Sequence, residues 1–212
     1  YILMEKFSED AELLGRLRHF LHNEATFTAR AVPEKLTDTS QEVQKFRDYF
    51  EHDEPLKSVP SHRALAMFRG RNEGVLSITI KVGDEEANAV SKGHPCETMI
   101  AEHWQVKDSG RAADGWLAEV VRWTWRVKLL THLETDLLGE LREKAEEEAI
   151  KVFTSNLKDL LLAAPAGQKA TIGLDPGMRT GVKVAVVDPT GKVLDHCVMY
   201  PTPPLNKIAE SE

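Results

Sequence analysis

Cysteine, long apolar runs and excess positive charge are all scarce in this 212-residue chain, and each shortage removes a class of protein. Its two cysteines, Cys96 and Cys197, stand far apart with no CxxC partner. A disulfide-stapled secreted scaffold is thereby excluded, and the reading is a reduced, intracellular chain with two ordinary thiols. No stretch approaches the roughly 20 apolar residues of a membrane span, and no signal peptide precedes the polar helices. The cytoplasm is therefore the expected location. Lys and Arg number 27 against 34 Asp and Glu, a net charge of −7. That balance argues against a uniformly basic nucleic-acid clamp, while a local basic patch on an acidic body stays compatible with it. Repeats and low-complexity tracts are also missing, and the length allows one or two domains with a sizeable core.

What is present is mostly helical periodicity. Leu13, Leu14, Leu17, Phe20 and Leu21 fall at i, i+3, i+4, i+7 spacing behind Ser8, which serves as the expected cap. Residues 25–32 are ambiguous, because Phe27, Ala29 and Ala31 alternate as in a strand over a short run. Thr39-Ser40-Gln41-Glu42 reads as a capping box ahead of a helix carrying Val43, Phe46, Tyr49 and Phe50. In Pro60–Gly74, PSHRALAMFRGRNEG, Ser61 reads as the cap, with Leu65 and Phe68 facing inward. His62, Arg63, Arg69 and Arg71 cluster there within about three turns. One reading is a phosphate-contacting patch, since guanidinium forks match phosphate oxygens. The other is a solvated helix face whose arginines pair with acids such as Glu73.

Val75–Val82 alternates as a strand, with Leu76, Ile78, Ile80 and Val82 toward a core and no obvious partner upstream. Residues 83–93 read as a polar loop. His94-Pro95 then opens a helix with proline in its first turn, carrying Met99, Ile100 and Trp104. His94, Cys96 and His103 raise a zinc reading, but the second cysteine pair and placed glutamate of a deaminase motif are absent. Trp116, Val120, Trp123, Val127 and Leu130 form an apolar stripe. On that spacing the tryptophans fill a helix–helix core rather than stacking bases of a single strand. Thr131–Glu134 is a second capping box, predicting a break or kink. Leu133, Leu137, Leu141, Ala145, Ala149, Val152 and Leu160 continue the pattern, with Glu140 and Lys144 at i, i+4. Ala163–Gly167 ends the helix and is the expected boundary between residues 1–165 and 168–212.

Beyond it, Ala170–Tyr200 reads as three short strands joined by tight turns, an antiparallel meander. Thr171–Leu174 leads to Asp175, after which Pro176-Gly177 breaks the strand. Asp188-Pro189-Thr190-Gly191 is a strong turn signal. Ile172, Leu174, Val184 and Val186 leave an apolar face, for which Leu157, Leu160 and Leu161 are the nearest expected cover.

IGLDPGMRTGVKVAVVD resembles the opening of the YqgF-like domain in the Tex family of bacterial transcription accessory proteins. PSHRALAMFRGRNEGVL, EKAEEEAIKVFTSNLKDLLLAAP and FRDYFEHDEPLKSVP resemble that family too, so the likeness covers most of the chain. It implies a mostly α-helical domain followed by the opening antiparallel β-meander of an α/β RNase H-like (YqgF-like) domain. It also implies later helix-hairpin-helix and OB-type RNA-binding modules, so the chain is expected to be an excised fragment. The function implied is RNA or DNA binding through the full-length protein, with the transcription machinery as a further partner. This part then acts mainly as scaffold, with no cofactor. Arg63, Arg69, Arg71 and Arg179 are the nucleic-acid-binding candidates. The alternative is a metal-dependent nuclease of the RNase H or resolvase type. There Asp175 would be one ligand of a divalent metal, with the remaining acids beyond residue 212. Asp188 and Asp195 are the other strand-borne acids here, and without such a set Asp175 reads as closing the DPG turn. The phosphate loop of actin-type ATPases looks similar but needs a repeat of the unit and far more chain.

Overall fold

The computed structural model describes residues 1–83, 93–164, 167–177, 180–203 and 206–209. The chain divides into two compact units, Tyr1–Ser155 and Asn156–Glu212.

In the first unit, α1 (Ile2–Ser8) and α2 (Ala11–Glu24) are separated by Asp10. Asp10, not Ser8, caps α2: its carboxylate accepts the Leu13 N–H at 2.8 Å, while Ser8 ends α1 and donates to the Glu5 carbonyl. An ionised cap also complements the positive end of the helix dipole. Leu13, Leu17 and Leu21 are buried as the spacing predicts.

The ambiguous stretch after α2 is strand β1 (Thr26–Ala31), and it is the centre of a three-stranded antiparallel sheet. Its neighbours are β2 (Glu51–Pro55) and β3 (Leu76–Lys81). The strand that lacked a partner in the sequence therefore has one, since β3 pairs with β1 from Leu76 opposite Ala31 to Lys81 opposite Thr26. β2 carried no strand signal, because EHDEP has no apolar alternation. It survives as an edge strand, where proline and charge are tolerated. The helix expected after the Thr39–Glu42 box is only α3 (Gln41–Gln44), followed by a 3-10 turn at Arg47–Tyr49. Ser40 makes no side-chain cap bond; Asp38 instead accepts the Ser40 N–H at 2.9 Å. Val43 and Phe46 are nonetheless buried.

Helix α4 (Ser61–Asn72) begins after Pro60, which occupies the cap position expected of Ser61. Its end is a Schellman motif. Gly74 takes φ +68° and donates to Arg71 O at 3.0 Å, and Val75 N–H reaches Gly70 O at 2.9 Å. The close of the GRNEG segment is thus a backbone requirement. Gly70 answers a second one, because a Cβ there would lie 2.5 Å from Leu76 Cδ1 and 3.2 Å from Phe46 Cδ1.

Helix α5 (Pro95–His103) is capped by His94, whose Nδ1 accepts the Cys96 N–H at 3.2 Å. Helix α6 (Asp114–Trp123) runs into a π-helical segment, Thr124–Leu129, and on into α7 (Leu130–Leu161). The predicted stripe is out of phase here. Val120, Val121, Thr124, Trp125 and Leu129 are buried, whereas Trp116, Trp123 and Val127 are exposed. Apolar residues surround this stretch on both faces, so periodicity alone admits two solutions. The π turn then rotates the register so that Leu133 and Leu137 continue the buried face. No break follows at Thr131–Glu134. Glu134 instead accepts the Ile80 N–H at 2.8 Å, closing part of the β3 edge. Glu140 pairs with Arg18 at 3.0 Å.

Asp114 anchors the loop before α6. Its carboxylate accepts N–H groups of Ser109 and Arg111 at 2.7 and 2.9 Å and the Arg111 guanidinium at 2.7 and 2.8 Å.

In the second unit, β4 (Thr171–Gly177), β5 (Gly181–Val187) and β6 (Val193–Met199) form the expected antiparallel meander. β4 continues through Asp175-Pro176-Gly177 rather than stopping at Asp175. The expected cover by the end of α7 is not formed. Leu160 is 72% exposed and Leu161 73%, and Ile172 and Leu174 remain 63% and 62% exposed.

Two outcomes test this packing. Gly70→Ala forces Leu76 or the helix to move and is expected to cost about 1–3 kcal/mol, read as a lower denaturation midpoint. Hydrogen bonds from the Arg111 guanidinium first, then from the Ser109 and Arg111 N–H groups, hold the Asp114 carboxyl below its ordinary range. Its contribution is full above the unfolded carboxyl value, about 3.9, and is lost as pH falls through the lower folded value. Asp114→Asn should melt earlier than the parent at neutral pH, and the two melting curves should converge in acid.

Candidate nucleic-acid interface

Helix geometry decides how the three arginines of α4 can act together. At about 100° per residue, Arg63 and Arg71 stand about 80° apart, and Arg69 and Arg71 about 160° apart. Arg69 and Arg71 therefore leave the last turn on opposite sides. Both complement the negative end of the helix dipole there. Arg71 lies over the Phe68 ring, 5.4 Å from guanidinium carbon to centroid. Arg69 is exposed and makes no ion pair among the described residues. Glu73, the expected partner for these arginines, is bound by Lys45 at 2.6 Å.

Arg63 sits in a different environment. Its Nη2 donates to Glu54 Oε1 at 2.9 Å, and the other Glu54 oxygen is 3.3 Å from His52 Nε2. The Glu54 side chain is only 14% exposed. His52 in turn meets the edge of Tyr49 at 5.5 Å between ring centroids. β1 explains the burial: Glu54 and His52 are in register with Phe27 and Ala29, on the sheet face that carries Ile78 and Ile80. The two charged groups of β2 thus lie at the rim of the core, and Arg63 from α4 compensates them. On the opposite face Arg30 forks onto both Asp53 oxygens at 2.7 Å, which holds the Asp53 carboxyl below its ordinary range.

Asp175 lies in β4 directly across from Lys183, whose Nζ is 3.2 Å from Oδ2, and both side chains are largely exposed. Residues 178 and 179 of the DPG turn lie outside the described residues; at the next turn Asp188 accepts backbone N–H bonds from Thr190 and Lys192 at 2.8 and 3.0 Å. Asp195 is opposite Val186, three positions along β5 from Lys183, so its side chain and that of Asp175 lie on opposite faces. These two acids cannot share one cation. No group of three or more metal-ligating side chains is assembled among the described residues. Arg179 lies outside the described residues. The glycines of the motif have steric roles. Gly181 has φ +79°, and a Cβ on Gly177 would collide with the Thr180 hydroxyl.

His94, Cys96 and His103 have separate duties. His94 stacks on Trp125 at 4.9 Å between ring centroids, and burial pushes its imidazolium down. His103 pairs with Asp10 at 3.1 Å. Burial first, then the Glu97 charge, pushes the Cys96 thiol up to about 12.

The comparisons fit these two units. The family described as Tex central region-like matches residues 1–153, and the Tex protein YqgF-like domain matches residues 169–212. The chain belongs to the Tex family. Protein YhgF of Escherichia coli K12 is 54% identical over 95% of this chain and 25% of its own length. Protein tex of Bordetella pertussis is 50% identical over 96% of this chain and 26% of its own length. S1 RNA-binding domain-containing protein 1 of Homo sapiens is 24% identical over 94% of this chain and 20% of its own length. The chain thus spans about a quarter of the length of the first two of these relatives.

Arg63→Ala should lower stability by about 1–2 kcal/mol, because it leaves Glu54 without its charge-assisted bond. Arg69→Ala should stay within about 0.5 kcal/mol of the parent. Denaturant titration of the two variants separates a structural arginine from a free one.

Proposed function

We propose that this chain is the scaffold portion of a nucleic-acid-binding transcription accessory protein. RNA or DNA is bound mainly through the rest of the full-length protein, in the cytoplasm, with the transcription machinery as a further partner. The observation that carries the reading is the match of both units, in order, to two parts of one family. The relatives' names agree with it: one is Transcriptional accessory protein Tex of Neisseria gonorrhoeae, 50% identical over 94% of this chain. The human relative is named for an S1 RNA-binding domain. No helix among the described residues is long and apolar enough to cross a membrane.

Charge placement supports a scaffold role. Arg63 and Arg30 are committed to Glu54 and Asp53, and Arg69 and Arg71 leave α4 on opposite sides. The family motifs FRDYFEHDEP and PSHRALAMFRGRNEG read physically as one interlocked strand–helix contact. The nuclease alternative finds less support, since Asp175 is paired with Lys183 and Asp195 is on the other face. The divalent metal belongs to that alternative alone, and the scaffold reading needs no cofactor.

The test compares this chain with a full-length family protein in RNA and DNA binding over a salt series. The chain should bind far more weakly than the full-length protein, with affinity falling steeply as salt rises. Sub-micromolar, salt-resistant binding by the chain itself would move the main binding site into these residues.

A further inference from the structure

His94 holds the start of α5 by a bond that only its uncharged ring can make. The helix opens with Pro95, which has no N–H, so Cys96 carries the first backbone donor in need of a partner. His94 Nδ1 accepts that N–H at 3.2 Å. The lone pair used there is the one a proton would take, and an imidazolium has two donors and no acceptor. Serine, threonine, asparagine or aspartate at the same position would cap the helix in mild acid as well as at neutral pH. Histidine caps it only while neutral.

The same ring fastens α5 to the π segment Thr124–Leu129. It stacks on Trp125 of that segment at 4.9 Å between centroids, and Trp125 belongs to the core. Three residues further along α5, the Glu97 carboxylate meets Arg126 of the π segment at 3.3 Å. Both contacts issue from the first turn of α5, the turn that the His94 bond closes.

Little around the ring would welcome a proton. The open cavity beside it also presents Lys81 from β3, Arg122 from α6, Arg126 from the π segment, Glu97 from α5 and Glu134 from α7. Both carboxylates already serve other donors, Glu97 the Arg126 guanidinium and Glu134 the Ile80 N–H. The positive end of the α5 dipole opposes a cation at His94 as well. Burial first, countered by the Glu97 charge and reinforced by Arg126, holds the imidazolium below its ordinary value.

We propose that His94 is an acid-released latch: a proton on Nδ1 breaks the cap bond, and the first turn of α5 releases the π segment. In the opened turn the ring titrates at its ordinary value, about 6.5, and in the closed turn it titrates lower. The latch is therefore strongest above about pH 6.5 and weakens as pH falls through that value toward the lower one. One proton is taken up on opening, so the opening equilibrium gains at most about tenfold per pH unit.

The experiment follows the 212-residue chain by NMR between about pH 7.5 and about pH 5.5, reading amide hydrogen exchange as protection factors. Expressed that way, the intrinsic pH dependence of exchange divides out. Protection of the Cys96 amide should fall by up to about tenfold per pH unit below about 6.5. The amides of Leu133 and Leu137 in α7 should keep theirs, which marks the opening as local. His94→Asn supplies a cap that does not titrate, and its Cys96 protection should be the same at both ends of the range. His94→Phe keeps a ring against Trp125 without the acceptor, and its Cys96 amide should exchange fast throughout. Equal protection of Cys96 at both ends of the range in the parent would overturn the latch. So would an equally steep fall in His94→Asn. Joint loss of protection at Leu133 and Leu137 would overturn it too, because acid would then be opening the whole unit.

Discussion

The contact between α4 and β3 through Gly70 is the constraint on which the first unit depends. A helix can lie this close to a strand only where it presents no side chain, and Leu76 fills the space a Cβ would need. With the helix seated there, Met67 and Phe68 reach the face of β1 that carries Phe27, which is tilted against Phe68 at 5.8 Å. The same seating brings Arg63 over β2, where it compensates Glu54. Without that cation, a strand made of EHDEP would hold a nearly buried carboxylate with only a histidine for company. One missing Cβ therefore determines both the apolar packing and the electrostatics at its rim.

The charges most suggestive of ligand binding in the sequence turn out to be divided between architecture and solvent. A guanidinium that offsets a half-buried acid cannot also serve a phosphate without leaving that acid unpaired. In the meander, the acid with the strongest resemblance-based role, Asp175, is held across the strands by Lys183. Three backbone and side-chain donors are absorbed by Asp188 at the following turn. The large side chains left exposed are found instead along α6, at Trp116 and Trp123, where the apolar stripe had predicted a core.

Where one physical signal dominated, the sequence was readable. Leu13, Leu17 and Leu21 define a single apolar face, the alternation at Leu76, Ile78 and Ile80 defines another, and the turn chemistry of residues 188–191 delimits two strands. β2 was illegible because its charges are compensated by Arg63 and Arg30, residues outside the strand, rather than by its own side chains. The cap at Asp10 was missed in favour of Ser8, since both residue types satisfy the same rule and only the helix start chooses between them. The tryptophan stripe failed for a third reason: with apolar groups on both faces, a π turn settles the register, and a fixed period of 3.6 cannot anticipate it. Family membership was legible throughout, because its motifs encode those glycines and ion pairs directly.

The unequal settings of the two cysteines give this molecule a built-in chemical asymmetry. Cys96 is wholly enclosed in the first turn of α5, and its thiol stays protonated far above neutral pH. Cys197 stands exposed on β6. An alkylating reagent needs thiolate and access together, so it meets a single reactive sulfur per folded chain. A fluorophore or spin label attached through that sulfur would report on the meander alone, from a native side chain and with no engineered site. Labelling of the second sulfur would in turn mark the moment at which the first unit opens.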